Sequence, residues 1–265
     1  MQIPTLGIGT WKNEGVSCQN IVKEALSMGY THIDTAQIYG NEEEVGEGTK
    51  QSGVSRESFF LTTKVWIDKF SYEGVITSVE ESLRKLGTDF IDLLLLHWPQ
   101  DEYSHKNALD GMMKLKQDGK IKELGVSNFN IKYLEEAINH TGGDIYNNQI
   151  EQHIYLPQSN LTDFCKQNNI SVTAYSPLAH GHVFKDQVLS DIANKYNKTI
   201  SQIALKWIIQ TQGSIVIPKT SNIDRLKENM EIFNFEIENE DIQQLNSLPK
   251  THRYINPPFS PTRDD

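Results

Sequence analysis

The chain has 265 residues, 23% of them charged, and its 35 acidic against 25 basic side chains leave a formal net charge of -10. That length can bury a substantial core in one α/β domain, and the acidic balance argues against a nucleic-acid partner, because phosphate neutralisation needs a basic face. Cys18 and Cys165 are too few for a disulfide framework or a zinc site, no apolar run approaches membrane-spanning length, and Met1-Gln2-Ile3-Pro4 lacks the basic and apolar regions of a signal peptide. A cytoplasmic protein with no membrane partner is the expectation.

Taken in chain order, short β-rich runs alternate with stretches of helical spacing. The runs are Leu6 to Thr10, Thr31 to Asp34, Phe59 to Val65, Ile91 to His97, Ile121 to Ser127, Ile145 to Gln149, Ser171 to Ala174 and Ser214 to Ile217. Between them, Val75, Ile76, Val79, Leu83 and Leu86 fall on one helical face after Ser71, and Ile203, Ala204, Trp207 and Ile208 on another. Thr199 and Gln202 have capping-box spacing, as do Ser221 and Asp224. Eight such units predict a (β/α)8 barrel. No composition shift or low-complexity stretch divides the halves, so one domain over 1–265 is expected. A doubly wound Rossmann sheet is the rival, but Gly7-Ile8-Gly9-Thr10-Trp11-Lys12 has Lys12 where the third glycine of the dinucleotide fingerprint belongs.

Four polar residues, Asp34, Tyr39, Lys64 and His97, stand where these runs end. A parallel barrel collects strand ends on one rim, where sites sit. A free tyrosine has a pKa of ~10, and a nearby ammonium lowers it by roughly one to three units. Lys64 is placed to be that cation, Asp34 to be its counter-charge, and His97 to orient a substrate oxygen. The four would make a carbonyl-polarising site in which Tyr39 protonates the oxygen. No Ser or Cys is placed to act as nucleophile, so a hydride from a bound nicotinamide is expected to serve.

The segment Ile217 to Asn229 follows the last strand, where barrels often bind phosphate. Lys219 and Arg225 supply two cations there, and the Ser221 start would point backbone N–H groups at a ligand. Together they suit the extra 2′-phosphate of NADPH, with Arg225 also able to stack on adenine.

Eight motifs then resemble, in order, those of the aldo-keto reductases. They are Gly9-Thr10-Trp11, Asp34-Thr35-Ala36-Gln37-Ile38-Tyr39-Gly40-Asn41-Glu42, Thr63-Lys64-Val65-Trp66, His97-Trp98-Pro99, Gly125-Val126-Ser127-Asn128-Phe129, Asn148-Gln149-Ile150-Glu151, Ala174-Tyr175-Ser176-Pro177-Leu178 and Ile217-Pro218-Lys219. The length and the short connection Gln100 to Lys106 look most like the compact bacterial branch of 2,5-diketogluconate reductase B and methylglyoxal reductase type. The resemblance implies an NADPH-dependent reductase of small carbonyl compounds with Tyr39 as general acid, tuned by Lys64 and Asp34, and His97 aligning the carbonyl. It further implies that Ser127, Asn128 and Gln149 bond the nicotinamide carboxamide and that Tyr175 stacks on its ring. Thr10, Trp11, Ser176 and Leu178 would lie along the coenzyme, Lys219, Thr220, Ser221 and Arg225 at the 2′-phosphate, and Glu228 and Asn229 at the adenine. Trp11, Trp66 and Trp98 would wall the substrate pocket beside Tyr39 and His97.

Each of these residues has a structural reading too: Asp34 as a helix cap, the tryptophans as core, Lys219 and Arg225 as a solvated helix start. Two other functions stay open, a Schiff-base lyase using Lys64 and a non-catalytic NADPH sensor. His180-Gly181-His182 lacks a third ligand at sensible spacing and reads as a loop. Departures from the family pattern, namely Ile154 after His153, the stretch Ala179-His180-Gly181-His182 and the brief tail Thr251 to Asp265, bear on the substrate, with small aldehydes, α-dicarbonyls such as methylglyoxal and keto sugars such as 2,5-diketogluconate all compatible. A monomer is the family default.

Overall fold

In the computed structural model, which describes residues 2–100, 102–250 and 253–264, eight parallel strands form one sheet in sequence order. They are β1 (Ile8–Gly9), β2 (His32–Asp34), β3 (Phe60–Val65), β4 (Ile91–Leu96), β5 (Ile121–Ser127), β6 (Asn147–Glu151), β7 (Ser171–Tyr175) and β8 (Ile215–Val216). Between and after them run helices α1 (Gly15–Ser27), α2 (Glu42–Ser52), α3 (Tyr72–Leu86), α4 (Glu102–Gln117), α5 (Ile131–Thr141), α6 (Ser159–Gln167), α7 (Gln187–Tyr196), α8 (Ile200–Trp207), α9 (Ile223–Met230) and α10 (Asn239–Asn246).

The sheet closes on itself. The Gly7 amide donates to Val216 O at 2.9 Å, the Val216 amide to Thr5 O at 2.9 Å and the Gly9 amide to Pro218 O at 3.2 Å. The two glycines that resemble a broken dinucleotide fingerprint are therefore seam residues. A Cβ on Gly7 would stand 2.6 Å from the His32 ring, and one on Gly9 2.9 Å from Ile217 O, so neither position accepts a side chain without displacing its neighbour. The arrangement is the expected (β/α)8 barrel, and the Rossmann alternative is excluded by the consecutive strand order.

Strand alternation divides the core in two. Along β4, Leu94 and Leu96 face outward into the layer shared with the helices. Leu93 and Leu95 face inward, where they meet Phe60, Ile215 and Ile3 in a separate cluster that fills the barrel. The same period of two carries β3 from Phe60 through Thr62 to Lys64, so an apolar base and a polar rim follow from one alternation. The helices answer with their apolar faces: Val75, Val79, Leu83 and Leu86 of α3 are buried, and Ser71 caps it by accepting from the Gly74 amide at 3.0 Å. The Thr199–Gln202 capping box of α8 forms as its spacing predicts.

Several boundaries differ from the sequence reading, most of all at β6, β1, β8 and the connection after β4. β6 is Asn147–Glu151 rather than Ile145 to Gln149, because its inward face is polar and gives no apolar alternation to read. β1 and β8 are shorter than expected, continued by single parallel bridges from Leu6 to Val216 and Gly9 to Lys219. The expected connection Gln100 to Lys106 is mostly helix, since α4 begins at Glu102. Asp101 within it, and Thr251, His252 and Asp265 of the tail, lie outside the described residues. No helix among the described residues is long and apolar enough to cross a membrane.

Candidate active site

Asp34 ends β2, Lys64 lies one residue before the end of β3 and His97 follows β4, so parallel pairing brings all three to the same rim. Tyr39 arrives differently, on a single 3-10 turn (Gln37–Tyr39) that folds back over the rim. Asn41 fixes that turn to the β1 loop: its amide donates to Thr10 O at 2.9 Å and Asn13 O at 2.8 Å, and it accepts from the Thr35 hydroxyl at 2.9 Å.

The Lys64 amine, 0% exposed, donates to Asp34 Oδ1 at 2.5 Å and to Thr35 O at 2.8 Å. Asp34 Oδ2 accepts from Gln149 Nε2 at 2.7 Å, so both carboxylate oxygens are used. A charge buried this deeply persists only when paired and hydrogen-bonded. Lys64 Nζ also lies 5.2 Å from the centroid of the Tyr39 ring, and the His97 ring packs edge-on to Tyr39 at 5.7 Å and to Trp66 at 5.1 Å.

The net shift of the Tyr39 phenol runs opposite to the one expected from Lys64 alone. Burial, followed by the nearby Asp34 carboxylate, pushes the phenol well above its ordinary value. Lys64 spends its hydrogen bonds on Asp34 and Thr35, and burial pulls its own pKa down while Asp34 opposes the fall. His97 is driven well below the usual histidine range by burial and then by the Lys64 charge. The protein thus presents a protonated phenol beside a neutral imidazole. A proton is held in reserve until negative charge develops on an oxygen nearby.

Above these groups opens a cavity of about 370 Å³. One wall is aromatic and apolar, made by Trp11, Trp66, Trp98, Ile38 and, from the tail, Ile255, Pro257 and Phe259. The polar part of the lining is Ser127, Asn128, Gln149, Tyr175, Ser176 and Lys219. Its polar groups are joined in advance: the Ser127 hydroxyl donates to Gln149 O at 2.8 Å, Asn128 Nδ2 to His97 O at 3.0 Å and the Tyr175 hydroxyl to Asn128 Oδ1 at 2.7 Å. Asn128 and Ser176 both have left-handed backbones, with φ of 63° and 48°. These turns end β5 and β7 at the cavity edge. Thr10 also borders the cavity, but its hydroxyl donates to Asp34 O at 3.1 Å.

Other expected positions lie away from the cavity or at its edge. Leu178 is half-buried against the helical core. Ser221 and Arg225 are exposed, as is Lys219 at the cavity edge, while Thr220 is buried with its hydroxyl accepting from the Asn222 amide at 3.0 Å. The anticipated Ser221–Asp224 capping box is replaced by Asn222, whose Oδ1 accepts from the Asp224 and Arg225 amides at 2.8 and 3.3 Å. An asparagine caps as well as a serine, and here it stands one residue closer to the helix. Glu228 accepts from Thr199 Oγ1 at 2.6 Å, and Asn229 is buried near the Tyr30 hydroxyl, which donates to Leu226 O at 2.9 Å. His180 and His182 flank Tyr254, the latter stacked at 4.5 Å, and His180 also meets the Trp11 edge.

Sequence reading missed Ile38, Ile217 and the tail wall. The tail carried no periodic signal, since Phe259 reaches the cavity from a turn in which the Ser260 amide donates to Pro257 O at 2.9 Å. The lyase alternative loses its basis, because the Lys64 amine is enclosed and tied to Asp34 and Thr35. Both cysteines are buried and free, their thiols pushed up to about 12 by burial and therefore unreactive.

A parallel barrel whose rim holds a paired lysine, a buried phenol and an imidazole beneath a cavity lined by both apolar and polar groups is an oxidoreductase scaffold for carbonyl chemistry. The model of the Aldo/keto reductase family matches residues 5–250, and the chain belongs to that family. It is 42% identical over 255 residues to the glyoxal reductase of Bacillus subtilis (strain 168), spanning 96% of this chain and 91% of that one. It is 39% identical over 260 residues to the methylglyoxal reductase DkgB of Escherichia coli O157:H7, spanning 97% of each. A solved structure provisionally named 2,5-diketo-D-gluconic acid reductase B superposes with a TM-score of 0.96 at 41% identity, covering 99% of this chain and 94% of the other. A Bombyx mori aldo-keto reductase solved in complex with NADP superposes at 0.89 with 33% identity, over 96% and 92% of the two chains.

Proposed function

We propose that the protein reduces small aldehydes and α-dicarbonyls to alcohols with NADPH, as one catalytic domain acting in the cytoplasm as a monomer. The observation that carries this reading is the Asp34–Lys64 pair buried under Tyr39 and His97 at the base of a cavity lined by both apolar and polar groups. The donor set suits a nicotinamide coenzyme: Ser127, Asn128 and Gln149 offer amide and hydroxyl groups for a carboxamide, and Tyr175 offers a flat face. Lys219 and Arg225 stand exposed where a phosphate can reach them. Ser176 and Leu178 lie between these two ends in sequence and would border the diphosphate. Glu228 would serve the adenine only by giving up Thr199, and Asn229 only by leaving its buried place near Tyr30.

When bound, the coenzyme supplies a hydride to the carbonyl carbon. His97 donates a hydrogen bond to the carbonyl oxygen and sets its direction. Tyr39 gives its proton to that oxygen as charge develops, and the Lys64 ammonium, fixed by Asp34, stabilises the phenolate left behind. Trp11, Trp66 and Trp98 exclude water from the reacting face. The glyoxal and methylglyoxal reductase names of the two relatives point to the same substrate class.

The deciding measurement is the loss of 340 nm absorbance on mixing protein, NADPH and methylglyoxal, with NADH run in parallel. Rapid loss with NADPH and little with NADH supports the reading. Silence across a panel of aldehydes, α-dicarbonyls and keto sugars, with NADPH still bound, would overturn it.

A further inference from the structure

Glu151, the last residue of β6, is wholly buried, and the hydride chemistry above does not use it. It follows Gln149 by two residues and so points to the same interior side. Its carboxylate grips the tail: Oε1 accepts from the Tyr254 amide at 2.9 Å and Oε2 from the Ile255 amide at 3.0 Å. His153 Nε2 lies 3.2 Å from Oε1, bracing the carboxylate from the far side.

Two consecutive backbone amides held by one carboxylate fix the position of the segment that leads into a turn, in which the Ser260 amide donates to Pro257 O at 2.9 Å and which carries Phe259. From that point Ile255, Pro257 and Phe259 face the cavity. Phe259 closes the wall edge-on against Trp66 at 6.2 Å and Trp98 at 5.6 Å. The far end of the tail is fastened separately, by Asn130 Nδ2 to Thr262 O at 3.0 Å and by the Ile131 amide to Asp264 Oδ2 at 3.0 Å. The wall is thus a strap tied at both ends, and the inner tie is a buried charge whose removal would leave amides unpaired. A shift of the chain at Glu151 would carry this turn, and Phe259 with it, away from the tryptophans.

We propose that Glu151 is a positioning residue that sets the register of this strap, and through Phe259 the preference for planar aromatic over small aliphatic α-dicarbonyl substrates. The proposal rests on the carbonyl-reductase reading for its substrate class and on geometry alone for the grip.

The test uses the full chain and Glu151→Gln, which keeps shape but loses one acceptor. NADPH oxidation is followed with phenylglyoxal and with methylglyoxal. KM for phenylglyoxal should rise about tenfold, the scale of one lost hydrogen bond to a charged group, and by clearly more than KM for methylglyoxal. Phe259→Ala should lower phenylglyoxal selectivity in the native background and add nothing in the Glu151→Gln background. Equal changes for both substrates, or fully additive effects, would show a general structural defect and overturn the proposal. Amide hydrogen exchange needs no activity and no variant: the Tyr254 and Ile255 amides should be protected in the native chain, and unprotected exchange there refutes the grip. If neither these substrates nor the wider carbonyl panel is turned over, the reductase reading fails while the exchange result still decides whether Glu151 holds the strap.

Discussion

Asp34, Lys64 and Gln149 are at most 2% exposed and bonded to one another, whereas Lys219, Ser221 and Arg225, proposed for the same coenzyme-dependent reaction, stand exposed. The difference follows from solvation. A charge removed from water must find its partner during folding, so the base of the site is complete before any ligand arrives. An exposed cation costs little to leave unpaired and commits only when an anion is near. The buried groups are therefore preorganised, and the coenzyme selectivity proposed for the exposed ones would rest on side chains that adapt.

The sharpest way to break this comparison is at its buried end. Tyr39→Phe should lower kcat by about 10²- to 10⁴-fold, the range for a positioned proton donor, with NADPH affinity by fluorescence titration nearly intact. Retained turnover would remove the phenol from the reaction. Lys64→Met should cost about 3–5 kcal/mol in urea unfolding, because Asp34 keeps a buried charge with only Gln149 to answer it. Asp34→Asn added to Lys64→Met should restore most of that stability without restoring activity. An undiminished unfolding midpoint in the single variant would mean that the pair is not the fixed element described here.

At the exposed end, Arg225→Ala should weaken NADPH by roughly tenfold, about 1.4 kcal/mol, and leave NADH almost as it was. Equal weakening of both coenzymes would place Arg225 away from the 2′-phosphate. This smaller effect is expected because the guanidinium is solvated before binding and gives up water to pair.

What could be read from sequence divides along the same line. β3 and β4 announce themselves as apolar runs because both faces are buried, and their ends marked Lys64 and His97. β6 was misplaced because its inner face, Asn147, Gln149 and Glu151, is polar and its hydrogen bonds are long-range. Tyr39 could be named from its motif, but the direction of its pKa could not, since burial and the Asp34 carboxylate both raise it. The tail wall depends on Glu151 meeting amides about a hundred residues away, a contact that no local pattern encodes.

The smallest effect tests the one local rule that chose wrongly. Ser221 and Asp224 have the spacing of a capping box, yet α9 is capped by Asn222, which accepts from two amides of the first turn. Thr220 steadies this arrangement by accepting from the Asn222 amide and donating to Asn222 O at 3.3 Å. Asn222→Ala should therefore cost about 1 kcal/mol of stability, while Ser221→Ala should leave the unfolding midpoint almost unchanged. Because the cap already occupies the Asp224 and Arg225 amides, neither is free to receive an anion, and the phosphate recognition proposed for this segment would fall to side chains. If Ser221→Ala proved the more destabilising of the two, the serine would be the true cap, those amides would be open, and the helix start would return as part of the phosphate site.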